Sequence, residues 1–200
     1  MSLFKYLNKI LKYINNKTLK SKGFTIIELL VSFGIIVLMT GLVLANYKKG
    51  QEDFALQRSA NKLAQDIRRA GQMAISTAEC VTEQGVECDK KFSEGGYGIY
   101  AEQGNNFYLL YADDKIINGK YDDLNDTIIE NNISLEEKVF IYNIFPMNSM
   151  SINFKAPEPA VSISGTGTGP AEITLSLEND FSKTITIKVY ETGLVEIQKN

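Results

Sequence analysis

The feature that most constrains the fold is an almost uninterrupted apolar run of 22 residues, from Phe24 to Ala45. Coiled as an α-helix, which rises about 1.5 Å per residue, the run is about 33 Å long and can cross a hydrocarbon core of about 30 Å. A cleaved secretory signal has a shorter apolar core, of about 7–15 residues, and a small-residue cleavage site after it. The run therefore predicts a transmembrane helix over residues 24–46.

One carboxylate, Glu28, lies inside this run. An ionised carboxylate deep in a bilayer costs about 2.5 kcal/mol or more, so a plain anchor is normally built without one. Two interpretations are open from the residues alone. Either Glu28 is an isolated acid that reaches toward the membrane face, or it has a role beyond anchoring.

Charge is distributed unevenly along the chain. The first 23 residues contain six lysines and no acid, which leaves 15 basic against 24 acidic residues in the remainder, a net charge of −9. A basic segment ahead of an apolar span stays on the cytoplasmic side, so the acidic remainder is predicted to lie outside the membrane. Its charge also opposes binding to nucleic acid. Residues 1–14 fit equally a basic amphipathic helix on the membrane surface and a disordered basic tail.

The helical pattern continues beyond the apolar run. Small and apolar residues recur at steps of three and four, with charged residues between them: Leu56, Ala60, Leu63, Ile67, Ala70, Ala74 and Ala78. Such spacing gives a soluble helix one apolar stripe. No proline occurs before Pro146, and Gly50 is the only weak point between the apolar and the amphipathic halves. We predict one helix from Phe24 to Ala78, with residues 47–78 as its amphipathic, soluble half.

Residues 79–200 are predicted to form a β-rich globular domain. Short runs of β-branched and aromatic residues alternate there with Gly, Asn and Asp clusters, which is typical of strands and turns. The predicted strands are 97–101, 107–113, 138–144, 151–155, 160–164, 172–177, 183–191 and 194–198. A long helix followed by antiparallel strands predicts an α+β fold in which the helix packs on the sheet.

The composition excludes most catalytic chemistry. Without histidine and with only two cysteines, the chain cannot form the usual Cys/His zinc sites, a Ser-His-Asp triad or a Cys-His pair. The acid pairs at 113–114 and 122–123 lack EF-hand spacing and are interpreted as solvated turn residues. The segment SISGTGTGP (162–170) lacks the lysine and following helix of a phosphate-binding loop. We predict no catalytic residue, metal site, cofactor or small-molecule substrate.

The two cysteines, Cys80 and Cys88, are eight residues apart. In an exported chain, such a pair can form a single disulfide that closes a short loop. A pair of free thiols is the alternative.

The segment KGFTIIELLV, Lys22 to Val31, resembles the processing site of the type IV pilin and type II secretion pseudopilin superfamily: a basic leader, glycine, phenylalanine, a short apolar stretch and glutamate. The resemblance implies a leader peptide of residues 1–23, which a prepilin peptidase removes by cutting between Gly23 and Phe24. It also implies N-methylation of Phe24 and a role for Glu28 in subunit docking, opposite the new α-amino group of a neighbouring subunit. The implied partners are the peptidase, the membrane and other pilins or pseudopilins, which the N-terminal helix contacts.

Later segments resemble the GspH/FimT-type minor pseudopilins and minor pilins, in which a long helix packs against antiparallel sheets. They are NKLAQDIRRAGQMAIS (61–76), GGYGIY (95–100), YLLYADD (108–114) and ITIKVYETGLVEI (185–197). Some members bind DNA through a basic C-terminal region, but this chain ends in ETGLVEIQKN, which is not basic. The resemblance implies a single-pass protein of the inner or cytoplasmic membrane that enters a filament. An uncleaved membrane protein that tethers a β-rich binding domain outside the cell is the alternative.

Overall fold

The computed structural model describes residues 23–82, 85, 88, 92–155, 161–164 and 170–199. Within them the chain forms one helix followed by nine strands. The elements are α1 (Ile26–Ile75), β1 (Tyr97–Glu102), β2 (Phe107–Ala112), β3 (Thr127–Ser134), β4 (Val139–Phe145), β5 (Ser149–Phe154), β6 (Val161–Ile163), β7 (Ala171–Leu177), β8 (Asp180–Val189) and β9 (Val195–Lys199). The expectations for residues 1–14, and for the leader before Gly23, lie outside the described residues.

The helix α1 is slightly shorter than the predicted range of 24–78. It ends in a Schellman motif, where the Ala78 N–H donates to the Met73 carbonyl at 2.9 Å and the Thr77 N–H to the Ala74 carbonyl at 3.2 Å. Thr77 has a φ of 46°, the left-handed conformation that this motif requires. The apolar spacing predicted the helix, but it contained no information about this local stop.

The chain divides into two compact units, residues 1–47 and 48–200, and α1 contributes to both. In the first unit, residues Ile26–Leu44 have a mean hydropathy of 2.5, and none of them is buried. This segment is long and apolar enough to cross a membrane. It fits a single-pass, membrane-anchored protein.

The second unit contains two antiparallel sheets. One has five strands in the order β3-β2-β1-β5-β6, and the other has four in the order β4-β7-β8-β9. Eight of the nine strands overlap the predicted ones, and the α+β class is confirmed. β3, with the sequence TIIENNIS, was not predicted because its polar centre breaks the two-residue alternation. Asn132 in β3 has a φ of 50°, and the β2–β3 register shifts twice, so this edge strand is irregular.

The core of the second unit lies between the later part of α1 and the sheets. Leu63, Ile67, Ala70 and Ala74 are fully buried and belong to one apolar cluster with residues of both sheets. The stripe predicted from the spacing is thus the buried face of the helix. Burial of each larger side chain contributes about 1.5–3 kcal/mol.

Consecutive arginines of α1 hold the outer strands of the two sheets. Arg68 donates from Nη2 to the Val195 carbonyl of β9 at 2.8 Å. Arg69 forms an ion pair with Glu130 of β3, and the interaction raises the pKa of its guanidinium. β9 and β3 are edge strands of different sheets. One turn of the helix therefore contacts both.

Candidate functional site

The residues around the expected cut point lie ahead of α1. Gly23, Phe24 and Thr25 are outside the helix and exposed, with 80% of Phe24 accessible. A Cβ placed on Gly23 would have no neighbour within 4 Å among the described atoms. Among the described residues, the glycine therefore meets no steric demand. The peptide bond between Gly23 and Phe24 is presented in a non-helical, accessible segment.

Glu28 occupies the third position of α1, where the first turn is capped. The Glu28 N–H donates to Oγ1 of Thr25 at 3.3 Å, so Thr25 acts as the N-cap. The pattern Thr-x-x-Glu at 25–28 is that of a capping box, and a carboxylate in the first turn interacts favourably with the helix dipole. Glu28 thus has a local role in starting the helix. This role was missed at the sequence level, although the Thr-x-x-Glu spacing is visible there.

The two hydroxyl side chains within the apolar segment are satisfied inside the helix. Ser32 donates to the Glu28 carbonyl and Thr40 to the Ile36 carbonyl, both at 2.8 Å. In lipid, every polar group needs a partner within the protein, and hydroxyls commonly bond to the carbonyl four residues earlier. Apart from Glu28, the segment therefore presents an apolar surface.

Cys80 and Cys88 form a disulfide in the structure, with their Cα atoms 5.5 Å apart. The Cys88 N–H also donates to the Cys80 carbonyl at 3.1 Å. Cys80 is buried in the core cluster, and Cys88 packs against it. The bond thus links two positions after α1 that both lie at the core.

The first acid pair is not solvated, contrary to expectation, because Asp113 is fully buried. Its Oδ2 accepts hydrogen bonds from the N–H groups of Gly119 at 2.7 Å and Asn118 at 3.2 Å. Burial raises the pKa of Asp113, and these two N–H groups oppose the rise. Asp113 therefore closes the loop that begins after β2.

Asp126 ends the same loop and is also buried. Its Oδ2 accepts the Asp122 N–H at 2.6 Å. Burial raises the pKa of Asp126 to about 6, and the nearby carboxylates Asp113 and Asp122 add to the rise. Among the described residues, no group of three or more His, Cys, Asp or Glu side chains is placed to hold a metal ion.

No protein-family profile matches the chain. No curated protein matches it either. Among solved structures, the fold is similar to that of the minor pseudopilin EpsH from the type 2 secretion system of Vibrio cholerae, with 9% sequence identity and a TM-score of 0.41. The match covers 72% of this chain and 96% of the other. At that TM-score, we draw no conclusion from the similarity.

Proposed function

We propose that the chain is a minor pilin or pseudopilin, a non-enzymatic structural subunit of a type IV pilus or a type II secretion-like filament. The observation that carries the proposal is an accessible Gly23–Phe24 bond directly before the capped start of α1. The first segment of that helix, Ile26–Leu44, is apolar and exposed, and its only ionisable residue is Glu28. Residues 79–200 form the β-rich body outside the membrane. The protein enters the filament from the inner or cytoplasmic membrane.

Two features of the leader explain the proposed processing: the glycine at its end and its positive charge. A prepilin peptidase cuts after Gly23, where the missing side chain allows the backbone to approach a narrow catalytic cleft. Removal of residues 1–23 deletes six lysines that hold the helix in its cytoplasm-facing orientation. The enzyme then methylates the new α-amino group of Phe24.

Glu28 supplies the docking contact in this proposal. The new amino group of Phe24 carries a positive charge that must leave water when the helix enters a filament, and a neighbouring carboxylate lowers that cost. The Glu28 of one subunit pairs with the Phe24 amine of the next. The exposed apolar surface of Ile26–Leu44 then packs against the same helix of other subunits.

Intact-mass measurement on the chain purified from membranes of its host tests the cleavage. We expect a species that begins at N-methylated Phe24. Gly23→Ile should remain uncleaved because its branched side chain blocks the cut site, whereas Gly34→Ala, a matched change within the span, should be processed normally. A wild-type protein that keeps residues 1–23 would contradict the proposal and support the uncleaved tethering protein.

DNA uptake is the less favoured variant of this function. The chain after residue 23 carries a net charge of −9, so it repels phosphate groups. A filter-binding titration with a DNA duplex at low salt would distinguish a subunit that binds DNA from one that does not. We expect no saturable binding.

A further inference from the structure

The outer face of the second sheet carries a cluster of aromatic rings, here called the aromatic patch: Phe140, Tyr142 and Phe181. The ring centroids are 6.2 Å apart for Phe140 and Tyr142, 6.1 Å for Phe140 and Phe181, and 5.8 Å for Tyr142 and Phe181. Tyr142 is 44% exposed and Phe181 57% exposed. Large aromatic groups that stay in contact with solvent point to a binding surface.

Two irregularities of the sheet bring these rings together. The β4–β7 register shifts between Ile141 and Asn143, so Tyr142 and Asn143 are both exposed in succession. The β7–β8 register shifts between Ser176 and Leu177, which leaves residues 181–183 outside the regular pairing with β7. Bulges of this kind redirect side chains and occur frequently next to functional sites. The patch thus depends on two separate departures from regular pairing.

Two shallow cavities adjoin the patch. One has a volume of about 370 Å³ and is lined by Gln103, Tyr142, Asn143, Thr174 and Thr184. The other has a volume of about 270 Å³ and is lined by Gly104, Asn105, Asn106, Phe140, Glu178 and Phe181. Their volumes are near the lower end of the range for small-molecule sites.

The turn after β1, residues 103–106, lines both cavities and is hydrogen-bonded to β4. The Gly104 N–H donates to the Ile141 carbonyl at 2.8 Å, and the Ile141 N–H donates to the Asn105 carbonyl at 2.9 Å. The Asn105 amide also donates to Oε2 of Glu102 at 3.2 Å. These bonds fix the backbone of the turn that carries Gln103, Asn105 and Asn106, which line the two cavities with the aromatic rings. The backbone of this part of the site is therefore in place before a ligand binds.

The chemistry of the lining residues selects the class of ligand. Four side-chain amides offer both donors and acceptors, and the only charged residue among the lining residues is Glu178. A nucleic acid or other polyanion would need cationic partners, and a lipid chain would need a continuous apolar groove. A pyranose ring matches both features, because its C–H face stacks on an aromatic ring while its hydroxyls bond to amides. We propose that the aromatic patch and its two cavities bind a neutral oligosaccharide.

This binding site goes beyond the proposed filament role and does not depend on processing at Gly23. Two alternative roles would also place these rings at the surface. Cross-strand aromatic pairs stabilise sheets without any ligand, and a neighbouring protein could cover the rings. Each role predicts a different behaviour for the same variants.

The test uses the full chain in lipid nanodiscs, because sugar-based detergents would compete for the site. Chitohexaose, cellohexaose and maltohexaose are titrated by calorimetry and by tyrosine fluorescence. We expect saturable binding of at least one of them, with a Kd of about 0.1–1 mM. Tyr142→Ala and Phe181→Ala should each weaken it about tenfold or more, whereas Tyr142→Phe keeps the ring and should change it less than about threefold.

Phe92→Ala is the control for loss of an aromatic ring elsewhere, since Phe92 is 37% exposed and is not among the residues that line either cavity. It should bind as the wild type does. Urea unfolding of every variant shows whether it remains folded, and Tyr142→Phe provides a stable variant if an alanine variant unfolds. Absence of saturation up to about 10 mM with all three sugars would overturn the proposal, and so would equal affinity in the wild type and both folded alanine variants. Loss of a co-purifying filament subunit from the alanine variants, without sugar binding by the wild type, would also overturn it and assign the patch to a protein contact.

Discussion

The two parts of α1 differ in whether their apolar residues are exposed or buried. From Ile26 to Leu44 the side chains are large and exposed, whereas beyond residue 48 the stripe is rich in alanine and is buried against the sheets. The later part obtains its stability from contacts within one copy of the chain. The earlier part makes no such contacts among the described residues, and its apolar composition suits it to a membrane. Substitutions in the two parts should therefore affect different measurements.

The largest expected effect is that of Ile67→Ala. Ile67 is fully buried, so truncation should lower the free energy of unfolding of residues 48–200 by about 2–5 kcal/mol. Urea unfolding of the chain in nanodiscs, followed by near-ultraviolet circular dichroism, measures it. Ile36→Ala, at a position that is 59% exposed, is the matched control and should change this free energy by less than about 0.5 kcal/mol. Equal effects of the two changes would contradict the described difference in burial between the two parts of α1.

Gly71→Ala should have the next largest effect. A Cβ on Gly71 would lie 3.1 Å from Cδ1 of Phe154, so the helix or the ring must shift. We expect a loss of about 1–3 kcal/mol in the same unfolding experiment, although alanine favours helix by itself. Gly50→Ala, where a Cβ has no neighbour within 4 Å, isolates that favourable propensity and should stabilise the chain by up to about 1 kcal/mol. A stabilised Gly71→Ala would show that α1 approaches the sheet less closely than described.

The pH dependence of stability tests the burial of Asp126. Its pKa of about 6 lies above the ordinary value of 3.8, so the folded state holds this proton more tightly than the unfolded state. The resulting stabilisation is complete below about pH 4 and is lost as the pH rises through about 6. Asp126→Asn keeps an acceptor for the Asp122 N–H without the buried charge.

The free energy of unfolding of Asp126→Asn should therefore exceed that of the wild type by about 1–2 kcal/mol at pH 7.5, and the difference should vanish below about pH 4. Urea titrations across this range measure it. Asp123→Asn, at an exposed position of the same loop, serves as the control. A difference that is constant with pH would rule out the protonation of Asp126 as its cause.

The smallest effect on stability is expected at the start of α1. Thr25→Ala removes the cap and should weaken the first turn by about 0.5–1 kcal/mol, seen as faster hydrogen exchange of the Glu28 amide. Incorporation into filaments should persist. Glu28→Gln should leave cleavage intact but reduce incorporation, because the side chain loses its charge. If Thr25→Ala and Glu28→Gln reduce incorporation equally, the role of Glu28 in incorporation is to cap the helix rather than to dock subunits.

The periodic parts of the structure could be predicted from the sequence, and the irregular parts could not. The buried stripe that contains Leu63 and Ile67, and the positions of strands such as β1 and β8, follow from the spacing and type of the residues. β3 escaped prediction because it lies at an edge and contains polar residues. The aromatic patch was not predicted because the face on which Tyr142 lies depends on strand pairing between distant segments. Burial of Asp113 likewise results from a loop that returns to cover it.

At the candidate site, the residues were visible in the sequence and their geometry was not. The predictions for Gly23, Phe24 and Glu28 rest on the order of the residues alone. The cap that Thr25 provides required knowing where the helix begins, and a capping pattern is frequent enough in sequences to need that context.

The adjacent arginines of α1 have a mechanical consequence. Arg68 contacts the outer strand of one sheet and Arg69 that of the other, so a force applied along the helix is divided between both sheets at a single turn. A pull on the later part of α1 would therefore reach an outer strand of each sheet at the same turn.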